Sequence, residues 1–176
     1  MGNSISTSTF TTTSSNYLNF EDIQLLIQFR KQKYLYGNGN GNGNGNGNGN
    51  GNVDDADFIL IHTLPKEGQH CLIQYTLTAQ EEEICLNRMY ANGEWNKKIV
   101  IYGKNHSDPS LLSQYKKIKE LGFNNIYVYK GGMFEWLMLQ DKYGTNEFPT
   151  TGKEVDILKY RNMSILGRNM RLISNS

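Results

Sequence analysis

The stretch Asn124-Asn125-Ile126-Tyr127-Val128-Tyr129-Lys130-Gly131-Gly132-Met133-Phe134-Glu135-Trp136 decides how this chain folds. Residues 126–129 are a short apolar and aromatic run bounded by polar residues, the mark of a strand buried within a sheet. Gly131 and Gly132 allow a sharp turn off that strand. The helix that follows places Trp136 one turn in, where its ring can pack back on the body. Residues 99–102 (Ile-Val-Ile-Tyr) form a second run of this kind. They lead through Gly103-Lys104-Asn105-His106-Ser107 to Asp108, a helix cap, and to Pro109, a favoured first helical residue. Leu111, Leu112, Tyr115, Ile118 and Leu121 give that helix a buried face, Lys116, Lys117 and Lys119 an exposed one, and Gly122 a stop.

The same alternation extends upstream. Residues 58–61 (Phe-Ile-Leu-Ile) are apolar throughout, as a strand covered on both faces must be. Residues 72–75 read as a shorter strand. Thr78 and Glu81 form a capping box, which opens a helix through Ile84, Leu86 and Met89 to Tyr90, with Asn92-Gly93 at its end. The acidic run 81–83 favours the dipole of that first turn. Earlier still, Asn19 and Asp22 cap a helix whose Phe20, Ile23, Leu26, Ile27 and Tyr34 recur at helical spacing, so it is expected to dock on the domain. Strands alternating with helices predict an α/β fold: a parallel central sheet flanked by helices.

The flanks differ in kind. Residues 1–16 are rich in Ser and Thr and are expected to be disordered, because they hold too little apolar surface to offset the entropy of ordering. Residues 37–52 are eight Gly-Asn repeats, a low-complexity insertion expected to be flexible and cheap to accommodate in a loop. The domain is thus expected over 17–151, with residues 152–176 as a C-terminal tail in which Val155, Ile157, Leu158 and Tyr160 could pack on the domain. A formal net charge of +1 gives no general pull toward nucleic acid, and no nucleic-acid partner is expected. Tyr127, Tyr129, Phe134 and Trp136 step as core residues do, so they are read as packing and not as base-stacking platforms. With no secretory or membrane-spanning pattern, the expected setting is cytoplasmic, and Cys71 and Cys85 are read as reduced thiols.

In parallel α/β folds, ligands meet the carboxyl ends of the strands. The loop 103–108 lies at such an end and runs into a helix N-terminus, a natural place for an anion. A cysteine there would have a lowered pKa and act as a nucleophile. The loop holds none, and Ser107 has only its neighbour His106 as a base.

On these motifs, above all Leu121-Gly122-Phe123 through Gly131-Gly132 to Trp136, the chain from about Leu18 to Thr151 resembles a rhodanese-like domain. Fainter matches are His62-Thr63-Leu64 after the first strand and Gln69-His70-Cys71-Leu72 before the second. The resemblance implies a three-layer α/β fold and, in active members, sulfur carried as a persulfide on a cysteine following the central strand. Gly103 stands at that position. The resemblance therefore implies a pseudo-enzyme, with no catalytic residue and no cofactor. The vacated loop, with Gly103, Lys104, Asn105, His106 and Ser107, becomes a candidate surface for a protein partner or small anion, its polar residues expected to be exposed.

Two other functions compete. Cys71 or Cys85 could serve as a non-standard nucleophile in a working sulfurtransferase. Alternatively, the chain could be an assembly protein with a lipidated N-terminus: Met1-Gly2-Asn3-Ser4-Ile5-Ser6 fits the N-myristoylation pattern, with Gly2 as acceptor. A single acyl chain anchors only marginally, so any association with a membrane would be weak and peripheral. His62, His70 and His106 lack ligand spacing, and no metal site is expected. His62 is instead expected to hydrogen-bond near its strand end. Residues 147–151 read either as a surface turn anchored by Phe148 or as a partner-binding segment.

Overall fold

The computed structural model describes residues 16–36 and 58–164. The Ser/Thr-rich segment, Gly2, the Gly-Asn repeats, the side chain of Tyr34 and the last residues of the chain lie outside that description. The elements are β1 (Tyr17–Leu18), α1 (Phe20–Tyr36), β2 (Phe58–His62), α2 (Ala79–Ala91), β3 (Lys98–Tyr102), α3 (Pro109–Glu120), β4 (Ile126–Tyr129) and α4 (Gly132–Tyr143). Short 3-10 turns add Lys66–Gly68 and Ile157–Tyr160. The strands form one parallel sheet in the order β1-β4-β3-β2.

Strand alternation sorts the core into two layers. Phe58, Leu60, Val100, Tyr102 and Tyr129 meet α1 and α4 on one face, through Ile23, Ile27, Met133, Trp136 and Leu137. Ile59, Ile61, Ile99, Ile101 and Val128 meet α2 and α3 on the other, through Cys85, Met89, Leu111, Tyr115 and Ile118. The α/β fold with a parallel sheet between helix layers is therefore present as the sequence predicts.

The predicted caps are present too. Asn19 Oδ1 accepts the Asp22 N–H at 2.9 Å, and Asp22 Oδ2 accepts the Asn19 N–H at 2.9 Å. Thr78 and Glu81 make the reciprocal capping box of α2. Phe148 is buried and stacks edge-on against Trp136, with ring centroids 5.0 Å apart.

Three local expectations are corrected and one strand is added. Residues 72–75 do not form a strand. Ile73 and Thr76 make only isolated bridges, to Thr150 and Leu60, around a turn in which Tyr75 takes a φ of 67°. The apolar character there reflects burial under the chain at 148–152, not sheet pairing. Tyr17–Leu18 is a strand the pattern does not reveal, since two residues give no periodicity. On α3, Leu112 and Leu121 are exposed, because the buried stripe runs through Leu111, Tyr115 and Ile118 alone. On α2, Ile84 is 62% exposed and Cys85 takes its place in the core.

Candidate functional site: the loop after the third strand

Gly103 leaves β3 at the carboxyl end of the sheet and is itself buried. The loop then closes on its own side chains. Asp108 caps α3 with Oδ1, which accepts the Ser110 N–H at 3.0 Å and the Ser110 hydroxyl at 2.5 Å. Its other oxygen, Oδ2, turns back across the loop and accepts the Lys104 N–H at 2.9 Å. The Thr63 hydroxyl faces that oxygen at 3.5 Å, a long and weak approach. A carboxylate of the chain thus sits where an anion would otherwise approach the loop.

That placement bears on the missing nucleophile. A Cβ built on Gly103 would lie 2.5 Å from Asp108 Oδ2 and 2.8 Å from Thr63 Oγ1. No side chain at 103 fits unless both Asp108 and the Thr63 hydroxyl move.

Asn105 is buried, not exposed as expected. Its Oδ1 accepts the Ser107 N–H at 2.9 Å, and its Nδ2 donates to the Tyr160 carbonyl at 2.6 Å. Burial of an amide is tolerated when both ends find partners. Lys104 is half-buried, while His106 and Ser107 are exposed. The His106 ring nitrogens lie 3.1 and 3.3 Å from Asn162 Nδ2.

The β4–α4 turn holds the loop from its other side. The Met133 N–H donates to the Gly103 carbonyl at 3.0 Å and the Phe134 N–H to the Lys104 carbonyl at 2.9 Å. Two otherwise unpaired N–H groups of a helix start are satisfied in this way. Gly132 permits the approach. Its φ is 61°, and a Cβ there would come within 2.5 Å of the Gly103 oxygen.

The segment from Gly152 onward, assigned above to a tail, packs on the domain as far as Tyr160. Glu154 anchors it. Its Oε2 pairs with Lys159 and lies 3.1 Å from His70 Nε2, while Oε1 accepts the N–H groups of Val155 and Asp156. Burial pushes the Glu154 carboxyl up. The bonds from Lys159 and the two N–H groups outweigh that, and the net effect holds it below the usual 4.5.

The two thiols lie on opposite faces of the sheet. Cys71 is fully buried, and its Sγ donates to the Gly152 carbonyl at 3.1 Å. Cys85 Sγ lies 3.6 Å from Met89 Sδ. Burial pushes both thiols up, away from thiolate character. His62 hydrogen-bonds at its strand end, as expected: Nδ1 accepts the Leu64 N–H at 3.1 Å. Its Nε2 is buried without a partner, and burial pulls the imidazole below its ordinary 6.5. Among the described residues, no group of three His, Cys, Asp or Glu side chains is placed to hold a metal ion. No helix among them is long and apolar enough to cross a membrane.

Four residues of this region have roles here that sequence reasoning does not give. Asp108 is legible as a cap, but not as the carboxylate that fills the loop. Glu154 and Tyr160 reach the site only through the fold. Tyr102, whose hydroxyl accepts the Ile73 N–H at 3.1 Å and lies 3.0 Å from Thr76 Oγ1, pins the turn at 73–76.

The rhodanese-like domain family model matches residues 64–139. No curated protein matches the chain. Among solved structures, the rhodanese-like domain of the Anabaena sp. Alr3790 protein (solution NMR) is 15% identical, with 85% of each chain covered and a TM-score of 0.43. A crystal structure of the Alr3790 protein is 16% identical, with 81% of this chain and 97% of that chain covered and a TM-score of 0.42.

Proposed function

From the match of residues 64–139 to the rhodanese-like domain family, we propose that this chain is a catalytically silent member of it, acting in the cytosol by binding a protein partner on the face of the 103–107 loop. One observation carries this: the position after β3 is glycine, and the Asp108 carboxylate fills the space its side chain would need. On this reading the residue that active members use as nucleophile is missing here, and the Asp108 carboxylate takes up the room beside it. The alternative nucleophiles gain no support, since Cys71 and Cys85 are buried thiols with raised pKa values. The same carboxylate favours a partner over a small anion. An incoming anion would meet Asp108 before the Lys104 N–H. His106 and Ser107 are the loop side chains left at the surface.

The deciding assay is thiosulfate:cyanide sulfurtransfer by the natural protein beside Gly103→Cys and Gly103→Cys/Asp108→Ser. The natural chain and the single variant are expected to be inert. The double variant keeps a helix cap in Ser, clears the carboxylate, and is the one in which turnover can return. Turnover by the natural protein would sink the proposal, and Cys71 and Cys85 would then be the residues to mutate.

A further inference from the structure

Beside the loop, on the α3 face of the sheet, lies a groove of about 260 Å3. Tyr17 and Tyr115 line it with Leu112 and Val128, and His106 and Lys130 stand among its polar residues. The volume falls below the roughly 300–1,000 Å3 of sites that enclose a whole small ligand. It suits one large side chain of something bigger. Leu112, the α3 residue that left the core, is 45% exposed here.

Lys130 is the cation that lines the groove and Asp108 the acid, while the α3 surface running away from it carries three lysines and Glu120. The Lys130 ammonium sits 3.7 Å from the Tyr17 ring centroid, a cation–π contact that holds it at this place. Lys116 and Lys119 are exposed one and two turns along α3 from Leu112. Lys117, also exposed, acts electrostatically on the Glu82 carboxyl of α2. The groove's own acid, Asp108, is spent on the Lys104 and Ser110 N–H groups. Among the described residues no carboxylate pairs with Lys116, Lys119 or Lys130.

We propose that this groove docks an acidic peptide segment of a partner protein. One large apolar side chain of the peptide enters between Tyr17 and Tyr115, over Leu112. Its flanking carboxylates lie against Lys130 and Lys116, with His106 in the same contact. The apolar anchor supplies most of the affinity, and the lysines supply orientation and a salt-dependent on-rate. The inference rests on the partner-binding reading of the loop and gives that partner a chemistry.

The test is a titration of the 15N-labelled full chain with the peptide acetyl-Asp-Glu-Phe-Asp-Glu-amide. Controls replace the Phe by Ala, or all four acids by Lys. Amide shifts are expected over residues 111–116 and 128–130. Affinity should fall at least tenfold for either control and for Lys116→Glu/Lys130→Glu, whose unchanged spectrum elsewhere would show an intact fold. Equal response to all three peptides, response away from the groove, or no response overturns the proposal. So do contacts from Phe10 to Leu112, which would give the groove to the chain's own N-terminus. Binding to phosphatidylserine vesicles in place of the peptide, lost in the same double variant, would overturn it in favour of a lipid surface. Sulfurtransfer does not enter this experiment, so its failure is distinct from failure of the silent-domain reading.

Discussion

The chain contains two strand–loop–helix units of the same plan, β3–α3 and β4–α4, and they serve opposite ends. The β4 unit turns in two glycines and gives its helix-start N–H groups to the other unit's carbonyls at Gly103 and Lys104. The β3 unit takes a longer polar loop and satisfies itself, with Asp108 and Asn105 supplying the bonds. One is a clamp and the other is what it clamps. A motif that is easy to recognise, Gly131-Gly132 to Trp136, therefore marks the scaffold, while the loop it supports carries the surface on offer.

The contrast can be broken most directly at Gly132. Gly132→Ala places a Cβ at positive φ against the backbone of Gly103 and Asn105, and is expected to cost roughly 3 kcal/mol in chemical denaturation. A midpoint within experimental error of the natural chain would show that the clamp is soft. Gly103→Cys should cost about 2 kcal/mol, because it displaces the Asp108 carboxylate from its bonds. Adding Asp108→Ser should restore part of that, and a double variant less stable than the single would refute the account of the clash.

Asn105→Ala leaves the buried Tyr160 carbonyl without its donor and should cost about 1–2 kcal/mol. Amide exchange should rise first in the segment 157–161; uniform exchange would argue against a link between loop and C-terminal segment.

Acid should reveal two windows. The folded His62 imidazole sits below 6.5, so the unfolded chain binds a proton more readily as pH falls through that value, and stability declines from there. Glu154 sits below 4.5 when folded. Its contribution is complete above 4.5 and is lost as pH falls further, through the folded value. Melting temperatures from pH 8 to 3 should show both steps, and His62→Phe should remove only the first. The smallest effect is expected at Gly131. There an added Cβ would meet the movable end of the Glu135 side chain and, at 2.9 Å, its Cβ, a contact that a small shift relieves because no backbone lies against it and φ is already helical at −57°. Gly131→Ala should cost under about 1 kcal/mol, and a loss matching that of Gly132→Ala would erase the distinction between the two glycines.

Legibility followed the range of the interactions. The caps at Asn19, Thr78 and Asp108 rest on residues two or three apart, and each is found in place. The alternation of β2 and β3 is equally local, and their burial follows. The strand read at 72–75 failed because a short apolar run records burial and not the partner that causes it. Here the partner is the chain at 148–152, over seventy residues away in sequence. Asn105 failed for a related reason. Polar residues in loops default to the surface, and its burial depends on the Tyr160 carbonyl, 55 residues later.

By itself, the sequence determined the alternation of strand and helix, hence a parallel sheet between two helix layers, and the absence of a thiol after β3. Both follow from residue identity and from periods of two and 3.6, which need no partner to be read. The tertiary structure alone decided that Asp108 fills the place beside Gly103, that Asn105 turns inward to Tyr160, and that Tyr17 meets α3 to form a groove. Those depend on where a carboxylate, an amide and a ring lie in space. Such positions are set by the packing of elements distant in the chain, and no local pattern encodes them.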